Sequence, residues 1–190
     1  MNDYFVDGEA FIANKLGIED AGELKKAEEE IVAARMTELM EHPIHGSFDF
    51  NMLLEIHRKL FSDIYDFAGQ IRRVRIAKDS SVFCYPEFIE ENQKRIFDRL
   101  RDMDYLKNLD KSGFVREFAW LSGELNALHP FREGNGRSIR LFLKLLAELA
   151  GWYVAYEDMD ARELMEADIQ SFNGDSAPLA RLMEKHVECA

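Results

Sequence analysis

Apolar side chains recur every three or four residues along several stretches of the chain, which is the spacing of one buried helical face. The two clearest stretches are Leu53, Ile56, Leu60, Ile64 and Phe67, and then Phe114, Phe118, Leu121, Leu125 and Leu128. The same spacing, with less distinct ends, predicts further helices over 23–41, 87–103, 158–170 and 176–187. The pattern therefore predicts a mainly α fold.

The stretch 137–150 differs because its apolar residues cover most of the circumference of a helix. They are Ile139, Leu141, Phe142, Leu143, Leu145, Leu146 and Leu149. A helix that is apolar nearly all round is surrounded by other elements, and Gly151 can close it as a C-terminal cap. We therefore expect a helical bundle around a central buried helix.

The best strand signal predicts one β-hairpin at about 72–86, a segment that we call the flap. Val74 and Ile76 alternate with arginines, 78–81 supplies turn residues, and 82–85 can return as the second strand. An isolated hairpin is marginally stable in water. We therefore expect the flap to lean on the helices or to be completed by a bound segment.

Length and composition predict one globular domain over residues 1–190, with 47% hydrophobic residues to fill its core. No basic-then-apolar leader is visible, and Lys144 and Glu148 interrupt the longest apolar run, so neither a signal peptide nor a membrane span is predicted. Cys84 and Cys189 lack metal-ligand spacing and suggest a reducing compartment. We expect a cytoplasmic protein.

The net charge of −12 argues against direct nucleic-acid binding, because phosphate backbones require cations spread along a surface. The basic residues nevertheless gather in two runs, which are Arg72, Arg73, Arg75 and Lys78, and then Arg132, Arg137 and Arg140. We interpret the first run as solvated charge offset by nearby acids. The second run requires another explanation.

The second run belongs to the segment LHPFREGNGRSIR at 128–140. Gly134, Asn135 and Gly136 lead directly into the next helix, whose first amides are unpaired and carry the positive end of the helix dipole. Arg137 and Arg140 would oppose that dipole unless an anion lay between them, and their spacing lets both point the same way. The segment therefore predicts a polyphosphate site, with a plain turn capped by Asn135 as the alternative.

The neighbouring residues add chemistry to this site. His129 is held at a helix end before Pro130, where a lone histidine is most often structural. Glu133 suits a phosphate site if Mg²⁺ bridges the two, although a salt bridge to an arginine is an alternative. We interpret Pro130 and Arg132 as spacers and Phe131 as the core anchor of the loop. A base, a metal carboxylate and a phosphate cradle together predict transfer of a phosphorus-centred group, with His129 removing the acceptor's proton.

These residues resemble a known family. HPFREGNGR followed by Ser138-Ile139-Arg140 matches the signature H-x-F-x-[DE]-G-N-G-R-x-x-R of the Fic (filamentation induced by cAMP) domain at every specified position. The likeness extends to IHRKLFSDIYDFAGQIR at 56–72, to GELNALHP before the motif, and to NKLGIEDAGELKKAE, which is similar to Fic proteins of the bacterial toxin type. The resemblance implies the Fic fold and the transfer of AMP from ATP to a Ser, Thr or Tyr hydroxyl of a target protein, with pyrophosphate leaving.

The resemblance also implies a role for each motif residue. His129 would be the general base, Glu133 the Mg²⁺ ligand, and Arg137 with Arg140 the phosphate ligands. The anion hole would comprise Gly134, Asn135 and Gly136. The flap would hold the target segment as an added strand, through Ile76, Ala77, Lys78, Val82 and Phe83.

Several alternatives stay open at this point. The related Doc kinases carry a lysine where this chain has Gly136, which favours AMP transfer here, with transfer of phosphocholine or another phosphorus-containing group as a weaker possibility. A non-catalytic binding module would also keep the fold, although His129 and the glycines are intact. Host-directed effectors of the family usually add further domains, for which 190 residues leave no room.

Regulation and target are inferred from the family as well. Fic proteins are often inhibited by a helix bearing [ST]-x-x-x-E-[GN], and this sequence has no match, since the nearest segment, 37–41, is followed by His42. We therefore expect the toxin of a toxin–antitoxin pair, inhibited by a small antitoxin that carries this helix. By analogy with toxin-type relatives, the target candidates are DNA gyrase and topoisomerase IV subunits.

Overall fold

The computed structural model describes residues 12–78 and 81–190. In this part of the chain the α-helices are α1 (Ala21–Glu41), α2 (Phe50–Phe61), α3 (Ile89–Asp102), α4 (Lys111–Leu128), α5 (Asn135–Leu149), α6 (Ala161–Phe172) and α7 (Ala177–His186). Two short antiparallel pairs join β1 (Ala77–Lys78) to β2 (Ser81–Val82) and β3 (Trp152–Val154) to β4 (Val187–Cys189). The predicted mainly α architecture is confirmed.

Helix α5 occupies the centre of the bundle, as its apolar circumference predicts. It packs against α2, α4 and β3, and its residues Phe142 and Leu146 are completely buried. The helix ends at Leu149, and Gly151 follows with a φ of 84°, in the left-handed region that favours glycine. Burial of α5 fixes the position of its N-terminus, where the signature motif lies.

Helix α2 is shorter than its apolar spacing predicts. It ends at Phe61, so the continuation of the helix through Ile64 and Phe67 is wrong. The chain turns back instead, and Gly69, with a φ of 77°, packs so closely on α2 that a Cβ there would lie 2.8 Å from the Cβ of Arg58. Ile64 is still buried, because the turn presents it to the same core.

The second antiparallel pair was not predicted. The prediction of a helix through Val187 is wrong at its end, because α7 stops at His186 and Val187 pairs with Val154. Each strand has only three residues, which is too short for an alternating pattern to be recognised. The pairing fastens the C-terminal segment beside α5.

The flap is a hairpin, but its paired region is shorter than predicted. Pairing is confined to β1 and β2, with one further bond from the Phe83 amide to the Ile76 carbonyl at 3.2 Å. Val74 lies in a bend, so its assignment to a strand is wrong. The predicted turn residues 79–80 and the side chain of Lys78 lie outside the described residues. No helix in the described ranges is both long enough and apolar enough to cross a bilayer.

The first basic run is not uniformly solvated. Arg75 is exposed and pairs with Glu87 at 2.9 Å, in agreement with the interpretation from the sequence. Arg72 is only 1% exposed, so that interpretation is wrong for this residue. Its guanidinium donates to backbone carbonyls at both ends of the flap and at the end of α4, so the buried charge is hydrogen-bonded.

Candidate active site

The signature motif, the flap, α1 and α6 surround one cleft of about 1040 Å³. The motif contributes His129, Arg132, Glu133, Gly134, Asn135, Gly136, Arg137 and Arg140 to its wall. The flap contributes Ile76, Ala77 and Phe83. The structure therefore brings together the motif residues that the sequence singles out, and we call residues 133–140 the cradle.

His129 caps the C-terminus of α4 in the left-handed conformation, with φ 45° and ψ 59°. Such a backbone is unfavourable for a non-glycine residue and persists only where the surroundings hold it. The imidazole Nδ1 lies 3.2 Å from the carbonyl oxygen of Asn126. Since a carbonyl can only accept, Nδ1 carries the proton of the neutral ring and Nε2 keeps its lone pair. This tautomer is the one that a general base at Nε2 requires.

The backbone at the start of the cradle depends on Gly134. This residue is the N-cap of α5, with a φ of 76°, and a Cβ there would lie 2.3 Å from the ring of Phe61. Glycine is thus required both by the dihedral angle and by the close packing. At Gly136 a Cβ would face only the guanidinium of Arg140, at 3.5 Å. The absence of a side chain at Gly136 therefore leaves room in the cleft rather than in the core.

Asn135 closes the motif loop. Its Oδ1 accepts from the amide of Phe131 and its Nδ2 donates to the carbonyl of Phe131, both at 2.8 Å. The alternative of Asn135 as the helix cap is wrong, because Gly134 is the N-cap and Asn135 is the first helical residue. Its side chain is buried, so only its backbone amide is available to an anion. Phe131 is fully buried, as predicted for the anchor of the loop.

The two arginines of the cradle have different surroundings. Arg137 forms an ion pair with Glu28 of α1, lies 4.9 Å above the ring of Phe61, and is 4.0 Å from the carboxylate of Glu133. Arg140 acts electrostatically on Asp168 of α6, which also lines the cleft. Burial raises the pKa of Asp168 to about 6, and the charge of Arg140 opposes this rise. Arg137 is therefore held in place by its neighbours, whereas Arg140 is exposed.

Glu133 presents a carboxylate to the cleft. One of its oxygens accepts from the amide of Gly134 at 3.0 Å, and the side chain is 44% exposed. At 4.0 Å the alternative salt bridge to Arg137 is too long to occupy the carboxylate fully. One accessible carboxylate next to a phosphate site fits Mg²⁺, which binds through one or two carboxylates and phosphate oxygens.

His57 holds the backbone of this loop from below the cradle. Its Nδ1 accepts from the amide of Gly69 at 2.7 Å, so Nε2 carries the proton and donates to the carbonyl of Glu133 at 3.0 Å. Its ring stacks on Phe131 with centroids 3.8 Å apart. Burial lowers the pKa of His57 to about 4. The histidine therefore stays neutral and connects the loop to α2.

Phe83 is the flap residue whose ring contacts His129. Its ring stacks on the imidazole of His129, with centroids 3.7 Å apart and an interplanar angle of 15°. Ile76 and Ala77 also line the cleft, whereas Val82 is 52% exposed. Phe83, the next residue after β2, is only 8% exposed, so these neighbouring side chains point in different directions. The role of the flap in docking a target remains a prediction.

Sequence reasoning missed several residues that support or line the cleft. They are Glu28, His57, Tyr65, Arg72, Arg132 and Asp168. Arg132 lines the cleft, so its interpretation as a spacer is wrong. Glu28 lies in an acidic run typical of a solvated face, but it is 6% exposed and accepts from the hydroxyl of Tyr65 as well as from Arg137. Burial and this contact raise the pKa of Tyr65.

Comparison with known proteins agrees with this geometry. The sequence profile of the Fic/DOC family matches residues 47–147. The chain is 37% identical over 187 residues to Protein adenylyltransferase VbhT of Bartonella schoenbuchensis, an alignment that covers 98% of this chain and 39% of that protein. It is also 37% identical over 174 residues to Probable protein adenylyltransferase y4lH of Sinorhizobium fredii, covering 91% and 89% of the two chains.

Solved structures give the same result. The crystal structure of the VirB-translocated effector BepC from Bartonella tribocorum, with bound AMPPNP, matches with a TM-score of 0.91 and 25% identity, covering 100% of this chain and 98% of that one. The type IV secretion system effector protein BepA matches with a TM-score of 0.89 and 28% identity, covering 97% and 68%. Motif, architecture and relatives agree, and the chain belongs to the Fic/DOC family.

Proposed function

We propose that this protein is an adenylyltransferase that transfers AMP from ATP to a Ser, Thr or Tyr hydroxyl of a target protein and releases pyrophosphate. The observation that carries the proposal is the hydrogen bond from Nδ1 of His129 to the carbonyl of Asn126, which places the lone pair of the neutral ring on Nε2, beside the cradle. The names of the adenylyltransferase relatives and the AMPPNP bound to the related BepC support the choice of nucleotide.

Each group of the site has a task in this reaction. The target hydroxyl gives its proton to Nε2 of His129 while its oxygen bonds to the α-phosphorus of ATP and the bond to pyrophosphate breaks. Backbone amides of the cradle, Arg137 and Arg140 stabilise the negative charge that develops on the phosphates. Glu133 is the residue that would hold Mg²⁺, which supplies charge neutralisation on the phosphate oxygens when bound.

The cleft also has a surface for the base of the nucleotide. Helix α6 contributes Met165, Ile169 and Phe172 to its lining, and the first two are exposed. A flat aromatic base gains by covering such apolar side chains. We assign this surface of α6 to the adenine ring.

Two other activities remain as alternatives. A kinase would transfer the γ-phosphate instead, but Gly136 leaves open the part of the cradle that a lysine would fill. Transfer of another phosphorus-containing group would use the same base and cradle. A module that binds without reacting would not require the strained backbone of His129.

Partners follow from the flap and from the missing inhibitory motif. We propose that the target adds a strand to the flap, that the target is a DNA gyrase or topoisomerase IV subunit, and that no nucleic acid binds directly. We also propose a cytoplasmic toxin, silenced by a small antitoxin whose [ST]-x-x-x-E-[GN] helix supplies a glutamate to Arg140. The support is that no segment of the 190 residues matches this motif.

The decisive experiment uses ATP labelled in two positions. Purified protein is added to bacterial lysate with α-labelled or γ-labelled ATP, with His129→Ala as the control. AMP transfer predicts protein labelling from the α position alone and none with His129→Ala. Labelling from the γ position that disappears with His129→Ala would establish a kinase, and no His129-dependent labelling from either position would contradict the proposal.

The toxin role has a separate test. Expression without the antitoxin should slow bacterial growth, and His129→Ala should relieve the effect. Co-expression of a neighbouring small open reading frame should restore growth only when its motif glutamate is intact. Normal growth despite AMP transfer in lysate would refute the toxin role and leave the enzymatic activity standing.

A further inference from the structure

Phe83 follows β2 and lies between the catalytic histidine and α6. It is 8% exposed, although it belongs to a hairpin with only two paired positions. One face of its ring covers the imidazole of His129 at 3.7 Å, and Phe172 of α6 meets it edge-on, with centroids 5.6 Å apart and an interplanar angle of 80°. The contact with Phe172 is an edge contact, one of the arrangements that aromatic rings favour, and the contact with His129 is a nearly face-to-face stack. Phe83 is thus held on two sides.

The hydrogen bond and the stack act on different parts of the His129 ring. Nδ1 donates to the carbonyl of Asn126 at 3.2 Å, which restrains one edge of the ring. The Phe83 stack lies on the face of the ring and opposes tilting about that edge, so that Nε2 keeps one direction.

Arg72 ties the backbone of Phe83 to the backbone of His129. Its guanidinium donates to the carbonyl of His129 at 2.7 Å and to the carbonyl of Cys84, the residue after Phe83. The amide of Cys84 also donates to the carbonyl of Ala127 at 3.0 Å. These bonds hold the return strand of the flap beside the end of α4. The stacking geometry therefore rests on a buried framework and not on the hairpin pairing alone.

We infer that Phe83 is a positioning residue for the proposed base, His129. It covers one face of the imidazole and fixes the direction in which Nε2 meets the target hydroxyl, so the flap takes part in orienting the base as well as in docking the target. The inference rests on the proposed AMP transfer. It adds a role for a residue that lies outside the signature motif.

The expected effect is kinetic. Proton transfer depends steeply on geometry, and a misplacement of about 1 Å can cost roughly 100-fold in rate. Phe83→Leu keeps an apolar side chain of similar size but removes the flat face. We expect its rate of AMP transfer at saturating ATP to fall roughly 10- to 100-fold, while the ATP concentration for half-maximal rate stays within about twofold of wild type because the cradle is unchanged.

The experiment compares three variants of the full chain, using the lysate protein that wild type labels from α-labelled ATP. Phe83→Leu removes the ring, Phe83→Tyr keeps it, and Phe88→Leu removes an exposed ring that lies outside the flap and the cleft. We expect Phe83→Tyr and Phe88→Leu to stay within about threefold of the wild-type rate, since both retain the stack on the imidazole. Melting temperatures and ATP titrations establish that each variant is folded and binds nucleotide.

A spectroscopic measurement supports the kinetic one. A ring stacked at 3.7 Å shields the imidazole protons, so the His129 signals, assigned with His129→Ala, should lie upfield in wild type and Phe83→Tyr and move downfield in Phe83→Leu. Wild-type rates in Phe83→Leu would overturn the inference, and so would parallel losses of rate, ATP binding and thermal stability. A Phe83→Tyr variant with unshifted signals but the slow rate of Phe83→Leu would overturn it too. If wild type itself transfers no AMP, the proposed function fails instead.

Discussion

The cradle and the flap both border His129, but their stability has different origins. The cradle is continuous in sequence, begins a buried helix, and is held by Asn135, by the packing of Gly134 on Phe61, and by the hydrogen bond from His57. The flap has two paired positions, and buried Arg72 connects its two ends to the motif. The half of the site proposed for the nucleotide is thus held by contacts within the protein, whereas the half proposed for the target offers an incomplete sheet.

This difference suits the two ligands that we propose for the site, a nucleotide and a protein segment. Phosphates are the same in every ATP, so a preformed cradle lowers the cost of ordering on binding. A target segment that adds a strand contributes main-chain hydrogen bonds, which depend little on its side chains. The cradle and the flap must meet at the reacting atoms. His129, Phe83 and Arg72 form this junction. The predictions below separate the two halves.

The largest effect is expected at the junction itself. His129→Ala should reduce AMP transfer by about 10²- to 10⁴-fold, the usual contribution of a general base. ATP affinity should stay within a few-fold of wild type, because the groups assigned to the phosphates lie in the cradle. Transfer is measured with α-labelled ATP and affinity by calorimetry. An equal loss of AMP transfer and ATP affinity would mean that ATP binding in the cradle depends on His129.

A substitution of Arg72 tests what holds the flap in place. Arg72→Met keeps the apolar stem but leaves the carbonyls of Val74, Cys84 and His129 without the guanidinium. Unsatisfied buried acceptors cost about 1–3 kcal/mol each, so we expect the free energy of unfolding to fall by at least about 3 kcal/mol. Hydrogen exchange should quicken at the base of the flap before it quickens in α5.

The control for this variant is an exposed arginine far from the flap. Arg181 of α7 is exposed, and Arg181→Met should change the free energy of unfolding by no more than about 0.5 kcal/mol. Chemical denaturation measures both variants. If Arg72→Met were as stable as Arg181→Met, the buried arginine would not be what holds the flap.

Lowering the pH tests how much His57 contributes to the stability of the protein on the cradle side. Its pKa is about 4 in the folded protein and ~6.5 in an unfolded chain, so the unfolded chain binds more protons between these values. The stability due to neutral His57 is therefore complete above pH ~6.5 and is lost as the pH falls towards 4, by about 3 kcal/mol. Protonation of Nδ1 would also break its hydrogen bond with the amide of Gly69, because both groups would then carry a proton.

Asp168 works in the opposite direction, so a matched variant is needed. Its pKa of about 6 lies above the usual value, and its contribution to stability is lost as the pH rises through 6. Urea unfolding of wild type and His57→Gln between pH 7 and pH 4 isolates the histidine, because Asp168 is present in both. Parallel curves would show that His57 is not held neutral by burial.

The fold was largely predictable because long amphipathic helices and one apolar helix produce strong periodic patterns. The cradle was predictable for a related reason, since its chemistry lies within one run of consecutive residues. What sequence reasoning missed is non-local: Glu28 reaches Arg137 from a helix more than 100 positions earlier, and Arg72 joins segments that are distant in the chain. In the sequence, an arginine that is buried among backbone carbonyls cannot be distinguished from an arginine that is solvated.

The flap shows the opposite error, because the sequence predicts more strand there than the structure contains. Alternation at 74–76 predicted a longer strand, but the carbonyl of Val74 accepts from Arg72 and the residue lies in a bend. Arg72 thus competes with the local strand preference and prevails. Tertiary context of this kind overrides propensity most easily in short elements.

The smallest effect concerns the two glycines of the cradle and separates folding from binding. Gly136 is helical and exposed, and a Cβ there would only touch the guanidinium of Arg140 at 3.5 Å. Gly136→Ala should therefore stabilise the protein by about 0.5–1 kcal/mol, because alanine has the higher helix propensity and restricts the unfolded chain. The added methyl group should weaken ATP binding by roughly tenfold, or about 1.4 kcal/mol. Gly134→Ala is the matched control, and it should destabilise the fold because of its φ of 76° and the 2.3 Å approach to Phe61. Thermal unfolding and ATP titration measure both variants, and an unchanged ATP affinity in Gly136→Ala would mean that the phosphates do not bind against this turn of α5.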